Sequence, residues 1–242
     1  MKRLATYSQY FLRSPELIKE LIGHSNLKPS DTVYDIGAGS GAITAVLANR
    51  VKKVVAVEFE PRAAEKLRQN MQRYPNVTVY EGDFLNMPLP AGDYKIFANI
   101  PFHLSSPILR KITEAANPPQ ATYLIVQKQF ANKLLPESDR FTGLLGIMIG
   151  PTFAVRIRKP LKRTDFMPHP NVDTVLLEIL KRPEPLIPLN QMPQWREFVE
   201  GCFSTPSIFA KTPCEAVGLP ADIKPSQMKL GEWVRLWEEA AQ

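Results

Sequence analysis

Between residues 32 and 98 the chain alternates short β-like runs with helix-like stretches, and this alternation limits its folds more than any other feature. The runs at 32–36, 54–58, 77–81 and 94–98 are rich in Val, Ile and Tyr, while 42–50 and 61–73 between them carry apolar residues at helical spacing. Strands separated by one helix each lie side by side in the same direction, so the pattern predicts an α/β fold with a mainly parallel sheet. A helix over 14–24 precedes this region, with Pro15 early and Leu17, Ile18, Leu21 and Ile22 on one face. Beyond it, 121–126 and 172–180 read as strands and 130–135 as part of a helix. The proline-rich connector Lys181-Arg182-Pro183-Glu184-Pro185-Leu186-Ile187-Pro188 then leads to helical stretches at 195–203 and 230–240. A boundary in that connector predicts two domains, a ligand-binding catalytic domain at 1–182 and a small C-terminal helical domain at 183–242.

At 242 residues and 44% hydrophobic, the chain can bury a full core, which excludes intrinsic disorder. No apolar run approaches the roughly 20 residues of a membrane span, because 144–155 is broken by Gly146, Gly150, Pro151 and Thr152. Lys2 and Arg3 are not followed by an apolar stretch, so no secretory signal is expected and the cytoplasm is the expected location. Cys202 and Cys214, with His24, His103 and His169, give no zinc-type spacing; no metal is expected, and both cysteines read as buried thiols. Charge is uneven. Residues 1–183 carry 25 basic against 16 acidic side chains, and 184–242 carry 5 against 8. Arg156, Arg158, Lys159, Lys162 and Arg163 form the densest basic cluster and point to a polyanion partner, although cations along a strand can also simply solvate one face.

The first strand runs into Asp35-Ile36-Gly37-Ala38-Gly39-Ser40-Gly41 and then a helix. Glycines there allow a ligand to approach the backbone closely. The spacing is not that of a dinucleotide site, and Asp35 at the turn would repel a pyrophosphate while suiting an amine or a sulfonium. The second strand ends in Glu58, placed to accept from both hydroxyls of a ribose, and the third in Gly82-Asp83-Phe84. The fourth ends in Asn99-Ile100-Pro101-Phe102. Four groups from the carboxyl ends of consecutive parallel strands describe a nucleoside site.

The last of these has a specific use on a planar exocyclic amine. The Asn99 side-chain oxygen and the Ile100 carbonyl, aimed with the help of Pro101, can each accept one amine hydrogen. That draws the nitrogen lone pair out of conjugation, while Phe102 stacks on the base. Such an amine can attack a sulfonium methyl in line and lose its proton afterwards, with no general base.

With these residues the chain resembles the ribosomal RNA adenine-N6 methyltransferase family. The likeness covers nearly the whole length and includes Ser8-Gln9-Tyr10-Phe11, the Gly37-Gly39-Gly41 turn, Glu58, Asp83, Asn99 to Phe102, Gln127-Lys128-Gln129-Phe130-Ala131 and Asp165-Phe166-Met167-Pro168-His169-Pro170. The resemblance implies a Rossmann-like class I methyltransferase fold, S-adenosylmethionine as donor and ribosomal RNA as partner, with the chain acting as a monomer. It implies Gly37, with Gly39, beside the methionine part, Glu58 on the ribose, Asp83 and Phe84 at the adenine and Asn99 near the methyl. The segment through Tyr10 and Leu12 would close over the donor, and Phe102 and Phe166 would hold an extruded target adenine. Three positions depart from the family's habit: Tyr10 stands where Asn or His is common, Asp35 where Glu is frequent, and His103 where Asn usually follows the aromatic.

The short length, Tyr94-Lys95-Ile96-Phe97-Ala98, Thr142-Gly143-Leu144-Leu145 and the tail around Trp233 and Trp237 look more like the macrolide-resistance branch. That branch implies mono- or dimethylation of one adenine in large-subunit RNA. The alternatives are small-subunit RNA dimethylation and a non-catalytic RNA-binding assembly factor. Trp233 and Trp237, four residues apart, also fit a helix packed on a core.

Overall fold

The computed structural model describes residues 10–138, 141–220 and 222–240. The expectations on Lys2, Arg3, Ser8 and Gln9 lie outside the described residues. One compact unit takes in residues 1–128 and 157–178, the other residues 129–156 and 179–242. This division differs from a single cut at 182/183: one crossover falls at 178/179, close to the proline-rich connector, and 129–156 forms a further excursion into the second unit. The reason is apolar. Ile147 and Met148, within a stretch that reads as broken in sequence, are buried with Trp195, Val199 and Trp233.

In the first unit, β1 (Phe11–Leu12) precedes α1 (Pro15–Gly23), β2 (Thr32–Ile36), α2 (Ala42–Ala48), β3 (Lys53–Glu58), α3 (Pro61–Met71), β4 (Val77–Glu81), β5 (Lys95–Asn99), α4 (Ser105–Thr113) and β6 (Ala121–Gln127). The second unit adds α5 (Lys128–Leu134) and α6 (Leu144–Ile149). Strands β7 (Phe153–Leu161) and β9 (Thr174–Lys181), with the two-residue β8 (Phe166–Met167) between them, and helices α7 (Met192–Ser204), α8 (Pro206–Phe209) and α9 (Leu230–Ala240) complete the chain. The main sheet has the order β4-β3-β2-β5-β6-β9-β7, and the pairs among β4, β3, β2, β5 and β6 are parallel.

Local chemistry sets these elements. Ser14 caps α1, its Oγ accepting from Leu17 N at 3.2 Å, and Pro15 occupies the first turn, where a missing N–H costs nothing. Glu60 caps α3 through Arg62 N and Ala63 N, ahead of Pro61. The central strands β2, β3, β5 and β6 are almost wholly buried, as expected where helices cover both faces. Edge strand β4 is exposed at alternating positions. β7 is also an edge strand, which is why Pro160 and several cations fit within it. The sequence shows this segment first as a basic cluster; its strand character is carried only by Phe153, Val155 and Ile157.

The second unit buries Trp195 and Trp233 completely, and Trp195 Nε1 donates to the Met148 carbonyl at 3.2 Å. Trp237 packs edge-on against Trp195, with ring centroids 6.1 Å apart. These tryptophans therefore serve packing. Cys202 and Cys214 are free and buried, and burial, with Cys214 beside it, pushes the Cys202 thiol up to about 11, which leaves it inert as a nucleophile.

Candidate active site

The strand order reverses between β2 and β5: β3 and β4 lie to one side of β2, and the chain then returns to pair β5 on the other. Loops leaving the carboxyl ends of two such strands diverge and leave a crevice, the general ligand site of open α/β sheets. Here the loops are Gly37–Gly41 and Asn99–Phe102. They lie close together, since a Cβ built on Gly37 would stand 3.4 Å from Pro101 Cδ. A cavity of about 370 Å3 opens there, lined among others by Tyr10, Leu12, Gly37, Glu58, Asp83, Phe84 and Asn99 to Phe102. Most of the residues singled out by sequence thus meet on one wall set, all in the first unit.

Backbone hydrogen bonds hold the strand tips in register. Gly37 N donates to the Val57 carbonyl at 2.9 Å, and Gly82 N to the Glu58 carbonyl at 2.9 Å. Glu58 is buried. Its Oε2 accepts from Gly39 N at 2.8 Å and its Oε1 from Glu60 N at 2.9 Å. Two fixed donors set the plane of this carboxylate, and each oxygen keeps a lone pair for a ligand hydroxyl. Gly39 itself is off the cavity wall, because its N–H is spent on Glu58 and Phe11 packs over it: an added Cβ would come within 3.0 Å of the Phe11 ring. Asp83 is fixed in the same manner, with Oδ1 accepting from Leu85 N at 2.9 Å and Oδ2 from Asn86 Nδ2 at 3.1 Å.

Asp35 is only 1% exposed, and its Oδ2 accepts from Thr44 Oγ1 at 2.6 Å. Burial pushes its carboxyl up to about 7; the Thr44 hydrogen bond opposes this, and the neighbouring Glu58 adds to it. Its place on the cavity wall keeps the expected preference for a cationic ligand group, with Thr44 as a partner the sequence reading missed. The available signal was a hydroxyl one turn into the helix after the glycines.

Asn99 Nδ2 donates to the Tyr10 carbonyl at 2.5 Å. A carbonyl can face only the NH2 end of the amide, so Oδ1 is turned away and free to accept. Ile100 is 2% exposed, so its buried side chain anchors the loop and its polar backbone is what it can offer a ligand. Pro101, at φ −58 and ψ 127, sets the turn, and Phe102 lies on the wall with Tyr10 stacked on it at a centroid distance of 5.4 Å.

Phe166 corrects the expectation that it holds a target base. It is fully buried and not part of the wall. It pairs with Leu12 in the β1–β8 ladder, and alternation along β8 sends Phe166 inward while leaving Met167 52% exposed. Three members of the basic cluster are engaged within the first unit: Lys159 with Glu20, Arg158 with the His24 carbonyl at 3.1 Å and Glu178 at 3.9 Å, and Arg163 with Asp173 at 3.1 Å. Lys162 and Arg156 are exposed. The sequence reading also missed Phe59, 67% exposed on the wall just after Glu58. Among the described residues no group of three His, Cys, Asp or Glu side chains could hold a metal, and no helix is long and apolar enough to cross a membrane.

A parallel sheet with helices, a glycine turn at its first strand and acidic residues at the next two tips define a Rossmann-like methyltransferase fold. The chain belongs to the ribosomal RNA adenine dimethylase family, whose model matches residues 2–207, and this family uses S-adenosylmethionine. It is similar to ribosomal RNA small subunit methyltransferase A of Latilactobacillus sakei, 29% identical over 81% of this chain and 69% of the relative. It is also similar to the rRNA adenine N-6-methyltransferase of Saccharopolyspora erythraea, 28% identical over 98% of this chain and 65% of the relative. Among solved structures, the 23S rRNA methyltransferase ErmE superposes with a TM-score of 0.84 at 27% identity, covering 96% of this chain and all of that one. The chain spans 62–70% of the length of the curated relatives it matches.

Proposed function

We propose that this chain methylates N6 of one adenine in large-subunit ribosomal RNA, once or twice, and so confers resistance to macrolide, lincosamide and streptogramin B drugs. The observation that carries the chemistry is the Asn99 amide, locked through its nitrogen with its oxygen free at the cavity. The large-subunit assignment is supported by the extent of the likeness. The Saccharopolyspora relative aligns over 98% of this chain, against 81% for the small-subunit relative, and ErmE is matched end to end.

The residues fit the donor. Glu58, held by two backbone donors, would take the ribose hydroxyls, Asp83 the adenine amine, and the Gly37 turn with Asp35 the methionine end. When bound, S-adenosylmethionine supplies an electrophilic methyl on a positively charged sulfur. Asn99 Oδ1 and the Ile100 carbonyl accept the two hydrogens of the target amine, which localises its lone pair toward that methyl. Phe102 stacks on the target base and fixes its plane. The wall offers no general base beside this pair, and none is needed: positioning and polarisation carry the step, and the proton leaves N6 for water afterwards. The target base has to be unstacked to reach this depth. Exposed Lys162 and Arg156, with the rest of the basic cluster, would contact phosphates.

Mapping N6-methylated adenines in both ribosomal RNAs of cells with and without this chain tests the proposal. A new mark in large-subunit RNA, together with macrolide resistance, supports it. A mark in small-subunit RNA would establish the second reading, which the small-subunit relatives favour. No new mark in either RNA would leave only RNA binding without catalysis.

A further inference from the structure

We propose that Tyr10 forms the second aromatic wall of the target-base seat, so that the extruded adenine is held between the Tyr10 and Phe102 rings. The inference rests on the reading of this cavity as an adenine methyltransferase site. An unstacked base loses two neighbours and is best held by two new ones. Phe102 supplies one face. Phe166, to which the family resemblance gives the other, is fully buried beside Leu12 and off the cavity. At position 10, where Asn or His is usual in the family, this chain instead carries an aromatic ring, and that ring lies against Phe102.

The geometry is that of a seat closed on itself. The two rings are 5.4 Å apart between centroids and splayed by 28°. A base inserted between them needs two stacking layers, about 7 Å in all, so the rings must part by less than about 2 Å. Tyr10 can move that far on a fixed base. Just after it, Phe11 and Leu12 ladder onto Met167 and Phe166, and Arg13 N donates to the Asp165 carbonyl at 3.0 Å. The Tyr10 carbonyl is also the group that orients Asn99. One residue therefore contributes a ring to the base and a backbone oxygen to the polarising amide, and side-chain substitution separates the two. The other aromatics are engaged elsewhere: Phe11 packs on Gly39, and Phe59 and Phe84 lie beyond the tips of β3 and β4, at the donor's nucleoside end.

The test uses the full chain saturated with S-adenosylhomocysteine and a single-stranded RNA oligomer carrying one 2-aminopurine, whose fluorescence is quenched by aromatic stacking. Methyl transfer to ribosomal RNA is measured alongside. Wild type and Tyr10→Phe are expected to quench alike. Tyr10→Ala should lose much of the quench and raise KM for RNA by about 5- to 150-fold, the range of one base–aromatic stack. Its calorimetric affinity for S-adenosylhomocysteine should stay unchanged, because the carbonyl contact to Asn99 is backbone. Tyr10→Trp should rescue the loss, which a merely structural role would not allow. Wild-type quench and KM in Tyr10→Ala would overturn the seat while leaving the methyltransferase reading intact. Faster methylation by Tyr10→Ala would mark the ring as a plug and overturn it equally. Tyr10-dependent quenching in a protein that methylates no ribosomal adenine would support the seat and overturn the reading beneath it.

Discussion

Replacing Asp35 with Asn should flatten the dependence of stability on pH. The Asp35 carboxyl is buried, and its pKa rises from the ordinary 3.8 to about 7, chiefly through loss of hydration, partly offset by Thr44 and reinforced by Glu58. A carboxyl with a higher pKa in the folded chain than in the unfolded one holds its proton more tightly on folding. Its stabilising contribution is therefore complete below about 4 and lost as pH rises through about 7. Each pKa unit corresponds to about 1.4 kcal/mol. Integrating between pH 5 and pH 8 gives a loss of about 3 kcal/mol attributable to this one group, with most of the slope below pH 7. Asn keeps an oxygen for the Thr44 hydroxyl and cannot ionise, so the variant should lack that slope. Urea unfolding of wild type and Asp35→Asn at half-unit steps from pH 5 to 8 measures the difference directly. Parallel curves would refute the reasoning, because they would mean that Asp35 ionises in the folded chain as it does in the unfolded one.

Gly41→Ala should cost about 2 to 5 kcal/mol, read from the shift in urea midpoint, because the residue sits at φ +94 and a Cβ would stand 2.7 Å from Leu67 and 2.8 Å from Met71. Glu58→Gln sets an amide N–H against one of the two backbone donors that hold this side chain, and should weaken S-adenosylmethionine binding roughly 10- to 100-fold in calorimetry. Salt titration of RNA binding should separate the basic cluster. Lys162→Ala should lower the log–log slope by roughly 0.7 to 0.9, and Lys159→Ala by less, since Lys159 already has Glu20 as partner.

The residues that repeat a physical rule were legible from sequence. Val54 to Val57, buried between covered faces, and the Ser14 and Glu60 caps follow from local pattern, and the switch point that joins Gly37 to Asn99 follows from strand order. What escaped depends on distant partners. Phe166 and Met167 differ only in which face of a two-residue strand each takes, and that register is set by Leu12 and Phe11, more than 150 residues earlier. Ile147 and Met148 read as a broken apolar run because the core they enter is supplied by Trp195 and Trp233. Thr44 and Phe59 carry no motif, and their roles come from the cavity on which Asp35 and Glu58 already stand.

The central claim is that one amide oxygen and a neighbouring peptide oxygen activate the target amine. Its most direct test is the single-turnover rate of methyl transfer in Asn99→Ala, with RNA and S-adenosylmethionine both saturating. The rate should fall by roughly 100- to 1,000-fold, as for loss of one preorganised hydrogen-bonding group. A wild-type rate under those conditions would contradict the mechanism.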